Sequence, residues 1–261
     1  MKVVFSTTPK KFSSANRVRQ TNSLASLSNL RIDKEIILFG EADDREAIET
    51  CKKYNIKYLT DFKRSESGVP FVNDLFQRTL AYTEADFYCY INCDIIVLDD
   101  FCQTLKILYQ KNVKNKTDSI FACGQRWDSD SISEVINFQE FSDEKILSIA
   151  KQTGRMHEPT GIDYFIFQKR TFSNMPDLLI ARAVFDNLIV GHAVMNNNID
   201  DYDVSSMCTV IHQNHKYGQQ EDITDLSVLK SKFKDDFKFN QKAISYGWGP
   251  MRFTSDCKKI S

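Results

Sequence analysis

The chain of 261 residues has almost no net charge, since 34 basic and 35 acidic side chains leave a formal −1 at pH 7. Without a global field, neither nucleic acid nor an anionic membrane attracts it at long range, and any partner must be recognised locally. No CxxC pair occurs among the seven cysteines, whose number is odd and which sit mostly in apolar runs. That spacing excludes a disulfide framework and reads as small core hydrophobes, kept reduced in a cytoplasmic protein. Cys89 and Cys93 would share one face of a strand, but two thiols fall short of a four-ligand zinc cluster. Long apolar runs are missing too. MKVVFSTTPKK is too short in apolar residues for a signal-peptide core, and DLLIARAVFDNLIVGHAV is broken by Arg182 and Asp186, so no membrane-spanning helix is expected. A peripheral contact at the inner face of a membrane stays compatible with this pattern. There is no internal repeat, low-complexity tract or linker, and the length suffices to bury a core without disulfide or metal. One continuous domain over residues 1–261 is the expectation.

What is present begins with alternating apolar patterns. KVVFST (2–7), EIILFG (35–40) and KYLTD (57–61) read as strands; VRQTNSLASLSNL and DDREAIETCKKYNI between them have helical spacing, the second opening on two candidate N-caps, Asp43 and Asp44. The alternation predicts a parallel sheet with right-handed crossovers. After the loop FKRSESGVP comes a helix, FVNDLFQRTLAYT, and then DFYCYINCDIIVL as the longest strand. DDFCQTLKILYQKN reads as a helix with an acidic start, SIFACGQRWD as a strand, DEKILSIAKQ as a helix and TGIDYFIF as a strand. DNLIVGHAV is a helix opened by Asp186, which serves there either as a plain N-cap or in a chemical role, and VIHQNHKYG is read as irregular. In open α/β sheets, ligands sit at the carboxyl ends of strands. Ser6, Thr7, Thr8, Asp61 and the region of Asp94 all fall at such ends, which points to a nucleotide or similar polar ligand in a half of about residues 1–100.

Asp94 is the lone acid in the apolar run YINCDIIVL, and a buried carboxylate is costly unless something pairs with it. Further on stand Asp163 in GIDYFIF, Asp186 in FDNLI, and His212 and His215 in VIHQNHKYG. In this order they resemble the GT-A class of nucleotide-sugar glycosyltransferases. INCD (residues 91–94) is similar to that class's Asp-x-Asp motif, with Asn92 in place of the first aspartate. More closely, SGVPFVNDLF, GQRWD, GIDYFIF, FDNLI and VIHQNHKYG resemble blocks of an uncharacterised bacterial glycosyltransferase-like family over roughly residues 1–218; the fourth block there usually carries tryptophan where Phe185 stands.

The resemblance implies a Rossmann-like α/β fold of the GT-A type, a mixed, mostly parallel sheet flanked by helices, with an acceptor-side half over about residues 101–261. It implies a nucleoside-diphosphate sugar as donor, a hydroxyl of a glycan as acceptor, a divalent cation (Mn²⁺ or Mg²⁺), and inverting transfer in cell-surface polysaccharide assembly. Asp94 then holds the cation, which stabilises the leaving diphosphate. A late histidine completes the shell, and a spacing of three leaves open whether that is His212 or His215. Asn92 offers a neutral oxygen to ribose or to a metal-bound water. Asp186 stands where the family places the base that takes the acceptor proton; Asp163 is the competing base or a holder of acceptor hydroxyls. Asn73 matches a position that meets the nucleoside. From the strand ends, Ser6, Thr7 and Thr8 are candidates for ribose or phosphate and Asp61 for the base edge, while Arg17 and Arg19 suit the diphosphate because a guanidinium binds phosphate in a fork. Arg126, Trp127 and Asp128 read either as sugar contacts or, for Trp127, as core. The polar span 129–160 reads as an acceptor-side lid, and the tail KSKFKDDFKFNQ as a solvated helix with an aromatic core side. Two other readings compete: a metal-dependent nucleotidyltransferase or phosphohydrolase, for which neither converging carboxylates nor a lysine-bearing glycine loop is evident, and a non-catalytic nucleotide- or glycan-binding domain.

Overall fold

The computed structural model describes residues 1–115, 119–180, 182, 184–215, 231 and 234–260. The first half follows the alternation of the sequence: β1 (Lys2–Thr7), α1 (Ser14–Asn29), β2 (Asp33–Phe39), α2 (Arg45–Lys53), β3 (Lys57–Leu59), α3 (Val72–Tyr82) and β4 (Phe87–Ile91). Of the two candidate caps, Asp44 starts α2, its carboxylate accepting from the Ala47 N–H at 3.1 Å and from the Phe12 N–H at 2.9 Å. One side chain thus satisfies an orphan helix donor and pins the loop after β1.

Beyond β4 the chain builds β5 (Ile95–Val97), α4 (Asp100–Asn115), β6 (Ile120–Cys123), β7 (Trp127–Ser129), α5 (Asp143–Lys151), β8 (Arg155–Met156), β9 (Tyr164–Phe167), α6 (Phe185–Met195), β10 (Asp200–Asp203), β11 (Val210–Gln213), α7 (Lys234–Gln241) and β12 (Lys258–Lys259). The large sheet has the order β12-β10-β6-β9-β4-β1-β2-β3. Every neighbouring pair is parallel except those made by β9, which runs antiparallel to both β4 and β6. A second sheet, β5-β11-β7-β8, stands beside it.

Both faces of the large sheet are buried, and the period of two along each strand divides its side chains between them. Val3 and Phe5 of β1 and Cys89 and Ile91 of β4 pack with Leu24 and Leu27 of α1 and Phe101 and Leu105 of α4. Val4, Tyr88 and Tyr90 join Leu75 and Phe76 of α3 and Leu188 and Ile189 of α6 on the other face. The small sheet has its own core, in which Ile96 and Ile211 meet Ile136 and Ile146.

Four expectations are corrected. DFYCYINCDIIVL is not one strand: a turn closed by the Ile95 N–H on the Asn92 carbonyl (3.2 Å) separates β4, in the large sheet, from β5, in the small one. SIFACGQRWD splits in the same way into β6 and β7. In both, the apolar run continues because each half is buried, but the polar residues between would have put unpaired groups into a sheet interior, so the backbone turns there. Asp186 is not a cap. Val184, at φ 71°, precedes α6, and Asp186 lies in its first turn. VIHQNH is not wholly irregular either, since residues 210–213 form β11, a central strand of the small sheet. Lys230, Lys232 and Phe233 lie outside the described residues; α7 exposes Lys234 and Lys238 and packs Phe239 against Phe71, ring centroids 5.9 Å apart.

Candidate functional site

A cavity of about 570 Å³ opens where the two sheets part, lined from both. Its floor is the turn after β4. Because β5 leaves the large sheet at that turn, Asp94 projects toward β11, and His212 of β11 and His215 just beyond its end return two imidazoles to it. His215 Nε2 lies 2.8 Å from Asp94 Oδ2 and His212 Nε2 lies 3.9 Å from the same oxygen. One ligand atom from each of the three residues falls within 4.8 Å of the other two. Asp94 Oδ1 is buried and accepts no hydrogen bond from the described residues. Burial by itself pushes the Asp94 carboxyl up, but the His215 bond and the charges of His212, His215 and Lys10 outweigh it and hold the group well below the usual carboxylate range.

The small sheet supplies a second row. Its register pairs Asp128 of β7 with His212 of β11 on one side and with Arg155 of β8 on the other. Side chains in register on adjacent strands point to the same face, and all three line the cavity. Asp128 is 8% exposed and carries three partners: Arg126 Nε donates to Oδ1 at 2.9 Å, His157 Nδ1 lies 2.5 Å from Oδ2, and His212 Nδ1 lies 3.3 Å from Oδ1. Burial favours the protonated carboxyl, yet His212, His157 and Arg126 together hold Asp128 well below the usual range. For His212, burial disfavours the imidazolium, but Asp128 and Asp94 outweigh it and raise its pKa. The other end of the Arg126 guanidinium, Nη1, bonds to Asp163 Oδ2, and Asn92 Nδ2 donates to Asp163 Oδ1 at 2.7 Å. A continuous chain of charge-assisted bonds therefore runs from Asn92 through Asp163, Arg126 and Asp128 to His157, with His212 Nδ1 in ion-pair range of Asp128.

The structure gathers Thr8, Arg19, Asn92, Asp94, Asp163, His212 and His215 around this cavity. Both histidines reach Asp94, so the two alternatives left open by their spacing are brought to one carboxylate. It does not gather the rest. Ser6 and Thr7 are buried in β1, Arg17 faces solvent, Asp61 is exposed and paired with Arg78 at 2.9 Å, and Asn73 donates to Asp177 at 2.7 Å on the outside of α3. Asp186 is half-buried beside the cavity rather than lining it; burial, with the Asp163 charge adding to it, raises its carboxyl to about 7. Sequence reasoning missed Lys10, whose Nζ lies 3.5 Å from His215 Nδ1, and the roles of His157, Arg155 and Arg182 on the cavity wall. The one available signal for Lys10 was its place three residues past the end of β1.

No protein-family model matches the sequence, and no curated protein matches it. Among solved structures, a mannosyltransferase from Pyrobaculum calidifontis, in complex with GDP-Man and Mn²⁺, superposes with a TM-score of 0.51 at 8% identity, over 96% of this chain and 65% of that one. The fold is GT-A. TarS 1-349 of S. aureus with UDP-GlcNAc (TM-score 0.37, 14% identity, 54% of this chain and 39% of that one) and a 4-diphosphocytidyl-2C-methyl-D-erythritol synthase from Anaerococcus prevotii (0.37, 13%, 92% and 96%) are more distant in shape. The chain spans about two fifths of TarS 1-349 and just under two thirds of the mannosyltransferase.

Within this GT-A fold, the residues at the β4 turn fit a divalent cation on their own geometry. Asp94 Oδ1 is an ionised, buried oxygen with no donor among the described residues, an arrangement that is costly unless a cation or water meets it. Two imidazoles and one carboxylate form a nitrogen-rich set that suits Mn²⁺ better than Mg²⁺.

Proposed function

We propose that the protein is a divalent-metal-dependent glycosyltransferase that moves a sugar from a nucleoside diphosphate to a hydroxyl of a glycan acceptor, with inversion, in cell-surface polysaccharide assembly. The observation that carries this reading is the convergence of Asp94, His212 and His215 at a buried, unsatisfied oxygen, beside Lys10 and Arg19, in a cavity at the strand ends of a GT-A fold. The mannosyltransferase of the same fold was solved with a nucleotide sugar and Mn²⁺. A cation held by Asp94, His212 and His215 would supply Lewis-acid stabilisation to the diphosphate leaving group.

Lys10 and Arg19 bind the diphosphate oxygens from the β1 side, Lys10 as a point charge and Arg19 as a fork. Burial lowers the Lys10 pKa, and the Asp94 charge opposes that shift. Thr8 is anchored at the β1 end by donating its hydroxyl to the Phe39 carbonyl at 2.9 Å, which leaves its oxygen able to accept from a ribose hydroxyl. Asp163 has both oxygens engaged, by Asn92 and Arg126, which suits it to holding sugar hydroxyls rather than to removing a proton. Asp186 is the base. A carboxyl raised to about 7 is matched to proton transfer at neutral pH, and the acceptor hydroxyl would approach from the α6 side to meet it. The left-handed backbone of the β-branched Val184 immediately before α6 is the kind of strain that functional sites hold.

The test is a panel of nucleotide sugars with and without Mn²⁺, followed by calorimetry for binding and by chromatography for products. Release of nucleoside diphosphate with free or transferred sugar supports glycosyl transfer. Release of nucleoside monophosphate with sugar phosphate would instead show attack at phosphorus, and binding without turnover would show a non-catalytic domain. If no donor binds under either condition, the proposal is wrong.

A further inference from the structure

The metal reading leaves Asp128 without a task, although it is the most heavily partnered carboxylate of the cavity. Its position is set by the sheet. The β7/β11 register places it opposite His212, and its oxygens are fixed by Arg126 at 2.9 Å and His157 at 2.5 Å before His212 is considered. His212 offers its two ring nitrogens to different groups: Nε2 faces Asp94 at 3.9 Å, and Nδ1 faces Asp128 Oδ1 at 3.3 Å and Asn214 Oδ1 at 3.1 Å.

We propose that Asp128 is the positioning residue that makes His212 a metal ligand, by holding the proton on Nδ1 and so presenting the Nε2 lone pair toward Asp94. The inference rests on the metal site of the proposed function and adds to it the residue that sets its histidine tautomer. An ionised carboxylate has no proton to give, so whatever faces it must be a donor. Asn214, though nearer, cannot impose that choice, because its amide can turn to offer either NH₂ or oxygen. A histidine held in this way on one nitrogen by a carboxylate and aimed at a cation with the other is a recognised route to tighter, better-oriented ligation, and loss of the outer carboxylate typically costs 10–100-fold in metal affinity. His215 Nδ1 has Lys10 Nζ as a neighbour at 3.5 Å.

The experiment titrates the protein with Mn²⁺ alone and follows free Mn²⁺ by electron paramagnetic resonance. Asp128→Asn, nearly isosteric, is expected to weaken binding by roughly 10–100-fold, Asp128→Glu to recover part of the loss, and Asn214→Ala to change it less than about threefold. A purely structural role is separated by a double-mutant cycle. In the His212→Ala background Asp128→Asn should cost nothing further, whereas in the His215→Ala background its full cost should remain. If Asp128→Asn binds Mn²⁺ as the wild type does, or weakens it equally in both backgrounds, the positioning role is refuted while the metal site stands. If the wild-type protein binds no Mn²⁺, the metal site and this inference fall together. Donor binding by that same protein without metal would still leave a nucleotide-sugar site.

Discussion

Replacing Arg126 by methionine tests whether the site is held together by paired charges. The Arg126 side chain is 14% exposed, and the side chains alone of the two residues it bridges, Asp163 and Asp128, are 7% and 10% exposed. Burial favours the uncharged guanidine, but the two carboxylates outweigh it and raise the Arg126 pKa, so the group is charged at any practical pH. Methionine keeps much of the volume and removes every donor. Asp163 then retains one neutral bond, from Asn92 Nδ2, and Asp128 retains His157 and His212. Breaking a buried pair by removing one partner costs about 3–5 kcal/mol, because a charge stays behind uncompensated. For a chain of this size about 1 kcal/mol corresponds to roughly 2–4 °C, so Tm should drop by about 6–20 °C. Urea unfolding of the metal-free protein at pH 7.5 gives the free energy directly. Asp163→Asn added to Arg126→Met should return part of the loss, since it removes the charge left unpaired. A loss below about 1 kcal/mol, or a double variant no more stable than the single one, would refute the argument that Arg126 compensates these carboxylates.

Other consequences are equally concrete. Asp94→Asn should weaken Mn²⁺ binding by at least the roughly 100-fold at which removal of an outer-shell partner ends, measured by calorimetry. Lys10→Met should not weaken Mn²⁺ binding, since it removes a positive charge beside Asp94 and His215, and should weaken UDP or GDP by roughly tenfold or more, the worth of one charged hydrogen bond at about 1.5–3 kcal/mol. Asp186 has a folded pKa of about 7, above its unfolded value of about 3.9. The stability associated with its protonated form is therefore complete below about pH 4 and is lost as the pH rises through 7. Asp186→Asn should gain stability over the wild type across that window, level off above it, and abolish transfer, whereas wild-type transfer should rise with pH through about 7. In α6, Gly191→Ala should destabilise despite a helix-propensity gain of about 1 kcal/mol, because the new Cβ would sit 2.0 Å from the Pro250 carbonyl oxygen. Urea unfolding should show a net loss of about 1–3 kcal/mol.

The first half of the fold was readable because each of its elements is specified locally. Period-two runs such as KVVFST and the Asp44 start of α2 need only neighbouring residues to declare themselves, and β1 to β4 follow from them. Asp94 was readable for a related reason: a single acid in an apolar strand asks for a partner wherever it ends up. The residues that sequence reasoning placed and the structure does not gather, Asp61, Asn73 and Arg17, sit beyond strand ends or on helix surfaces. There, a shift of one or two residues turns a side chain from the cavity to solvent.

Sequence by itself determined that this chain makes a mostly parallel α/β sheet, and it singled out one carboxylate, Asp94, and two late histidines, His212 and His215, as candidates for a site. Tertiary structure alone decided that both histidines meet that carboxylate, a contact spanning 121 residues. It also decided that Asp128 and Arg126, and not the predicted strand-end serine and threonine of β1, surround them. The reason lies in the two split strands. Whether YINCDIIV continues straight or turns at Asn92 is not a property of its apolar pattern, which is the same in both cases. It depends on a second sheet whose inner strand, β11, comes from residues 210–213, far along the chain from β5, and only when β5 pairs with it is Asp94 brought to the histidines.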